Sequence, residues 1–375
     1  MKKGLLSFVL ILCCMSVCNA FRHYGVYYQE HYETKTMEVI GAQADLTHGI
    51  FLERVMSHYN ALWPVTNIKF ECFANNKVIK VMDMSQARLT SLKERLFYNC
   101  MNLDTVYLPE SVPGEYFLSE IGTNTFLDCW KLRHVTIPVN LKKICHGAFR
   151  RCKKMEHIDL PYTVETIMEY AFAQCESLKS IVLSTGIQYL GVGVFQDCYS
   201  LETVEFYNRY NLRIKPCTFE NCVRLKNIYF NKENIIQIDS CAFKGCTSLK
   251  TFTVPSSVNK GIGASAFEGC TSLDSVTTTA DVPPTLGRNA FKNISPTCVL
   301  TVPYGRRAAY IAAGWTEDIF KGGIREQMPA GIHDVKVEHK RQGGWYDLQG
   351  RSVGHPEKGR MYIRDGRKIL VKKAC

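Results

Sequence analysis

Apolar positions along the chain recur with a period much longer than that of any helix or strand. The clearest register is Phe, two residues, Cys, two residues, Leu. It runs through Phe97-Cys100-Leu103, Phe126-Cys129-Leu132, Phe149-Cys152-Met155 and Phe172-Cys175-Leu178. It continues through Phe195-Cys198-Leu201, Phe219-Cys222-Leu225, Phe243-Cys246-Leu249 and Phe267-Cys270-Leu273. From Phe126 the phenylalanines advance by 23, 23, 23, 24, 24, 24 and 24 residues to Phe291. Self-similarity at a fixed period of this size marks a solenoid, in which each unit buries its apolar edge only against its neighbours.

Each unit holds more than the triple. Apolar residues three and five positions after the Leu alternate with polar ones, as in Ile158/Leu160, Ile181/Leu183, Val204/Phe206 and Ile228/Phe230. Period-two alternation predicts a short strand with one buried face. Proline often closes it (Pro109, Pro138, Pro161, Pro255), where its missing N–H does no harm. A second apolar pair follows, such as Ile187/Leu190 or Ile235/Ile238, then a small residue before the next Phe, such as Ala148, Ala171 or Ala266. The register fades at both ends, as capping units require. Phe73 has Asn76 in the Cys position, and Phe291 has Ile294 there. Asn fits because, like Cys, it can donate to a backbone carbonyl in the turn. Residues 306–315 read as a short closing helix.

This pattern divides the chain into five segments. Residues 1–20 read as a signal peptide: Lys2 and Lys3, an apolar stretch from Leu5, and Ala20 at the cleavage point. Residues 21–66 form an N-terminal β and cap region. Residues 67–320 carry the repeats and closing cap. Residues 321–331, with three glycines and Pro329, read as a linker. Residues 332–375 form a short C-terminal β module. Leu12 and Val17 precede Cys13 and Cys18, so neither Cys has the small neighbour that lipid anchoring wants.

These residues resemble the BspA-like (Treponema-type) leucine-rich repeats of bacterial surface proteins. Leu178-Lys-Ser-Ile181-Val-Leu183, then Ile187, Leu190, Phe195 and Cys198, fits that family's repeat closely. The resemblance implies an α/β repeat: a leucine-rich-repeat solenoid with a parallel β-sheet on its concave face and small β modules at both termini. It also implies export and binding of protein or host components. The N-terminal pairing of Gly25–Tyr28 with Thr36–Val39, and the Trp345–Arg351 and Tyr362–Lys368 segments, are similar to flanking modules of exported Bacteroidota proteins. Some such C-terminal modules act as sorting signals.

Charge and cysteine content refine the picture. The net charge is +11. From Ile332 to the end, eleven Lys/Arg face five Asp/Glu. Acids interspersed among these bases favour a solvated surface over a nucleic-acid or lipid contact. Seventeen cysteines in an exported chain invite a disulfide reading. However, Cys100, Cys129, Cys152, Cys175, Cys198, Cys222, Cys246 and Cys270 share one repeat position. Parallel side chains at the ~4.8 Å inter-strand spacing hold Cβ atoms beyond bridging distance, which favours a ladder of buried thiols. Cys217 and Cys241 share another position, two before Phe, and are the pair to test for a disulfide. The Cys-x4-Cys pairs starting at Cys217 and Cys241 mimic a metal site, but the repeat period alone explains them, and no metal site is expected.

No catalytic constellation appears. The ten histidines are scattered, without a His-Glu-x-x-His or Gly-x-Ser-x-Gly motif. Neither enzyme activity nor a cofactor is expected. Binding candidates are the strand positions between the buried ones: His134, His157, Asp159, Thr203, Glu205, Asn227, Tyr229, Thr251 and Thr253. Stacking aligns them into two outward columns, with Tyr229 the one large aromatic. The expected protein is exported, extracellular or surface-displayed in association with an outer membrane, with a periplasmic location as the alternative. It is expected to be monomeric, to bind a protein or host component in adhesion-like fashion, and to bind no nucleic acid. The competing reading is a structural envelope protein without an external ligand.

Overall fold

The structure, a computed structural model, describes residues 20–23, 25–43, 50–52, 55–56, 61–110, 118–230, 234–327, 344–348, 351–357, 361–364 and 367–370. The chain forms two compact units, residues 1–327 and 328–375. Apart from Ala20, the signal-peptide segment lies outside the described residues, as do residues 328–343.

The first unit is a solenoid of parallel-strand coils. The strands that follow each Leu form three successive parallel sheets, interrupted after His134–Thr136 and after Asn227–Phe230. Thr105–Tyr107 pairs in parallel with Val81–Asp83 on one side and His134–Thr136 on the other. Ser180–Leu183, Thr203–Phe206 and Asn227–Phe230 pair likewise, as do Thr251–Val254, Ser275–Thr278, Val299–Pro303 and Ile324–Gln327. The second apolar pair of each unit builds another parallel ladder, from Ser91–Leu92 through Glu120–Ile121, Lys143–Ile144 and Thr166–Ile167 to Tyr189–Leu190. A third seam of hydrogen bonds joins the turns: the Phe126 N–H donates to Ala148 O at 2.7 Å and the Phe149 N–H to Ala171 O at 2.8 Å. Three bonded seams leave few backbone groups of a row without a partner in the next. The turns need left-handed backbone two residues either side of each Phe. Tyr170, Cys217 and Cys241 adopt it before the Phe at φ 56–57°, and Asn, Asp or Gly commonly adopts it after.

The core is a spine of rings. Phe73, Phe97, Phe126, Phe149, Phe172, Phe195, Phe219, Phe243, Phe267 and Phe291 stack with centroids 4.9–5.6 Å apart. Helix α1 (Arg307–Ala312), the one helix among the described residues, leads into Trp315 and Phe320, which close the spine against Phe291. Among the described residues the repeat itself is therefore β and turn, with helix confined to the cap. Beside the rings runs the thiol column. Each of the eight cysteines is buried and free, and its Sγ–H donates to the carbonyl of the preceding unit's Phe, as from Cys198 to Phe172 O at 3.2 Å. At the start of the stack, Asn76 donates to Gln43 O (3.4 Å) while its Oδ1 accepts from the Val78 and Ile79 N–H groups.

Three sequence expectations shift. The ladder begins at Ile50–Phe51, which pairs with Val81–Asp83, and so precedes residue 67. Ile324–Gln327 falls in the expected linker but forms the last parallel strand, with Ile324 buried. Two adjacent glycines obscure it, because Gly322 is forced by backbone: a Cβ there would meet Thr297 O at 2.2 Å. Residues 157–160 keep Ile158 buried but form no strand.

At the N-terminus, Val26–His31 lies antiparallel between Ala20–His23 and Thr36–Ala42, and Val65–Ile68 completes that sheet. The second unit is an antiparallel sheet in which Trp345–Tyr346 lies between Ser352–Val353 and Met361–Arg364, with Arg367–Leu370 at its edge. Arg364 lies 4.9 Å from the Trp345 ring centroid.

Candidate binding face

The outward columns of the first ladder are built by register. Pairing sets Thr203 beside Ser180 and Asn227, and Glu205 beside Val182 and Tyr229. It sets Thr251 beside Ser275 and Thr253 beside Thr277. The residues between them point inward and are the core, so a shift of one residue would exchange the two faces. His134, His157, Asp159, Asn227, Tyr229, Thr251 and Thr253 are exposed, and Thr203 and Glu205 are half-buried.

Two grooves interrupt this face. The first, of about 460 Å³, is lined by Arg133, His134, Thr136, Glu156, His157 and Asp159, among others. It lies where residues 157–160 leave the ladder, so three sequence-derived candidates, His134, His157 and Asp159, share one depression. Two of its rim charges have partners: Arg133 bonds Asp104 at 2.8 Å, and Lys179 bonds Glu156 at 2.5 Å. The Thr136 hydroxyl is occupied, accepting the Leu108 N–H at 2.8 Å.

The second groove, of about 670 Å³, is lined by Glu205, Tyr207, Tyr229, Phe230, Thr253 and Pro255, among others. Glu205, Tyr229 and Thr253 are three more of the candidates. Tyr229 is 55% exposed, and the Tyr207 hydroxyl donates to Glu205 Oε2 at 2.9 Å. An apolar floor with a carboxylate and hydroxyls at its edge is chemistry suited to side chains that are part apolar and part polar. Thr203 and Asn227 form a long contact (3.5 Å) in the other column, while Thr251 lies in the next sheet, beside Ser275.

Tyr229 is not the one large aromatic in the columns. Tyr107 pairs with Thr136, is 38% exposed, and sets its ring edge-on to His134 at 6.0 Å. It belongs to the row before His134, where the same strand register would have found it. Tyr207 was also missed, because it lies just past the strand's alternation.

Several basic side chains bond to partners in neighbouring rows. Lys153 bonds Glu176 (2.8 Å) and approaches the Trp130 ring, and Arg151 bonds Gln174 (2.9 Å). Arg213 bonds the buried Asp239 at 2.9 Å. These partners sit about one repeat away, so Arg151 and Lys153 of the basic cluster are tied into the stack.

Cys217 and Cys241 are half-buried free thiols in adjacent rows. Burial first, then the Glu220 carboxylate, push the Cys217 thiol up to about 12, so it stays protonated near neutrality. Cys222 and Cys246 belong to the buried ladder, which separates the two halves of each Cys-x4-Cys pair.

Stacked coils with one exposed strand face are the form of a repeat solenoid, a class that presents extended surfaces to partners. The chain belongs to the family described as BspA type leucine rich repeat region, six copies of which match residues 50–117, 119–234 and 212–306. Among solved structures, the chain is similar to a leucine-rich repeat protein of T. pallidum (20% identity, 61% of this chain and 90% of that one, TM-score 0.43). It is also similar to one from Bacteroides ovatus (20% identity, 82% and 100%, TM-score 0.35). A third is a leucine rich cell surface protein from Faecalibacterium prausnitzii (18% identity, 83% and 95%, TM-score 0.39). No curated protein matches the chain. Family membership suggests a protein-binding scaffold. Among the described residues, no helix is long and apolar enough to cross a membrane.

Proposed function

We propose that this chain is an exported, surface-displayed protein that captures a protein or host component through the outward strand columns, in adhesion-like fashion. The observation that carries this reading is the Tyr229 groove, where an exposed ring, the Glu205 carboxylate and Thr253 converge on one apolar depression. Aromatic side chains in such settings dominate interface energies. The test is binding of the full chain to immobilised extracellular-matrix proteins, comparing Tyr229→Ala and Glu205→Ala with the parent. Loss of a central aromatic anchor is expected to cost about 2 kcal/mol, roughly thirtyfold in Kd. Equal capture by folded parent and variants, or no capture by either, rejects the reading. Protease shaving of intact cells tests display, since an intact chain on shaved cells would place it inside the envelope.

A further inference from the structure

We propose that Cys217, Glu220 and Cys241 form a binding site for one thiophilic divalent cation of the zinc class. Cys217 Sγ, a Glu220 carboxylate oxygen and Cys241 Sγ all lie within 4.8 Å of one another. Two thiolates and a carboxylate are a donor set that zinc-class ions take.

The fold builds this cluster. The position two before each Phe is left-handed in every regular unit, and other rows fill it with Asn124, Gly147, Tyr170, Gly193, Ser265 or Asn289. Cysteine stands there in two adjacent rows, at φ 56° and 57°. The Cys217 N–H donates to Ser240 O at 3.0 Å, which fixes one row against the next. Glu220, one residue past Phe219, reaches back across the same turn. Gln196 of the preceding row donates to Glu220 Oε2 at 2.9 Å and orients the carboxylate, as outer partners of metal ligands do. Lys244 Nζ lies 4.0 Å from Glu220 Oε1 and is, among the described residues, the cation that an incoming ion would displace from it.

The pair differs from the eight ladder thiols in the respect that matters. Those are fully buried, with their S–H groups committed to Phe carbonyls. Cys217 and Cys241 are half-buried and reachable from solvent. A tetrahedral ion holding sulfur at ~2.3 Å and oxygen at ~2.0–2.2 Å places neighbouring donors ~3.3–3.8 Å apart, so small rotamer changes suffice. On binding, each thiol gives its proton to solvent as its sulfur–metal bond forms, and no electron is transferred. Three protein ligands leave the fourth position to water. A disulfide would instead require an oxidant to remove two electrons.

The test is titration of the reduced, full-length chain with Cd2+ and Zn2+. The readouts are the thiolate-to-cadmium absorption band and zinc retained after gel filtration. One ion per chain is expected, with retention lost in Cys217→Ser and Cys241→Ser. Glu220→Gln should weaken affinity at least as much as the ~10–100-fold typical of losing an outer-shell partner, and Gln196→Ala should fall within that range. Circular dichroism confirms that each variant is folded, and Cys72→Ser serves as a thiol control that keeps the ion. Three results would overturn the site: no saturable binding by folded parent, binding unchanged in the Cys217→Ser and Cys241→Ser variants, or non-reducing peptide maps that join Cys217 to Cys241.

Discussion

Replacing Phe195 with alanine removes the middle of the ring spine. Phe195 is fully buried, and its ring lies 5.6 Å from Phe172 and 5.5 Å from Phe219. Truncating a buried Phe costs about 3–5 kcal/mol, of which the two ring contacts account for about 1–3 kcal/mol. That is a large share of a typical total stability of about 5–15 kcal/mol. The loss also falls at one place in a stack whose rows touch only their neighbours, so the halves on either side should uncouple. Urea unfolding checks this, followed by far-ultraviolet circular dichroism and tryptophan fluorescence. Trp130 reports the N-terminal side, and the buried Trp315 reports the closing cap. The parent is expected to unfold in one transition and Phe195→Ala in two, the earlier well below the parent midpoint. Phe73→Ala, which removes a ring at the start of the spine, should cost less and keep one transition. A single transition for Phe195→Ala, displaced by less than about 1 kcal/mol, would refute the spine as the source of cooperativity.

Other outcomes follow from the buried polar groups. Burial holds the ladder thiols above their ordinary value of 9.0, with Cys100, Cys175 and Cys270 pushed up to about 12. Above pH 9 the unfolded chain therefore sheds thiol protons that the folded chain keeps. Stability is fully present below that value and falls between 9 and 12, by roughly 1 kcal/mol per thiol per pH unit. Urea midpoints that stay level from about pH 8 to about pH 10 would contradict this linkage. In the cap, the buried Tyr310 hydroxyl bonds Thr278 Oγ1 (2.9 Å) and Ala280 O (2.7 Å). Tyr310→Phe should cost about 1–3 kcal/mol by leaving buried partners short of a bond, and a change under about 0.5 kcal/mol in the unfolding midpoint would argue otherwise.

The buried half of each unit was legible in the sequence because burial forces identity. Phe recurs since each ring stacks on its counterpart in the next row, as Phe195 does on Phe219, and Cys recurs since each thiol donates to the preceding row's Phe carbonyl. The outward positions follow by alternation, which is why His134 with His157, and Glu205 with Tyr229, could be paired on one face. What escaped has no such constraint. Alternation sets direction but not hydrogen bonding, so it foretold a strand at residues 157–160, where the structure has none. Ile324–Gln327 hid behind glycines, and Glu220 sits in a column that varies freely from row to row: Arg150, Ala173, Gln196, Lys244. Only stacking brings that column against the cysteine pair.

The lateral bonding of the rows has a further consequence for how such a chain can change over generations. Each turn's N–H reaches one row onward, as from Phe126 to Ala148 O and from Phe149 to Ala171 O. Among the described residues, no row is tied to a distant one in this way. An in-frame duplication or deletion of one 23- or 24-residue unit would then leave every remaining bond with an equivalent partner. It would lengthen or shorten the outward columns by one step of ~4.8 Å. The breadth of the surface offered to a partner is thus set by unit number, which gain or loss of a whole unit would alter without designing a new core.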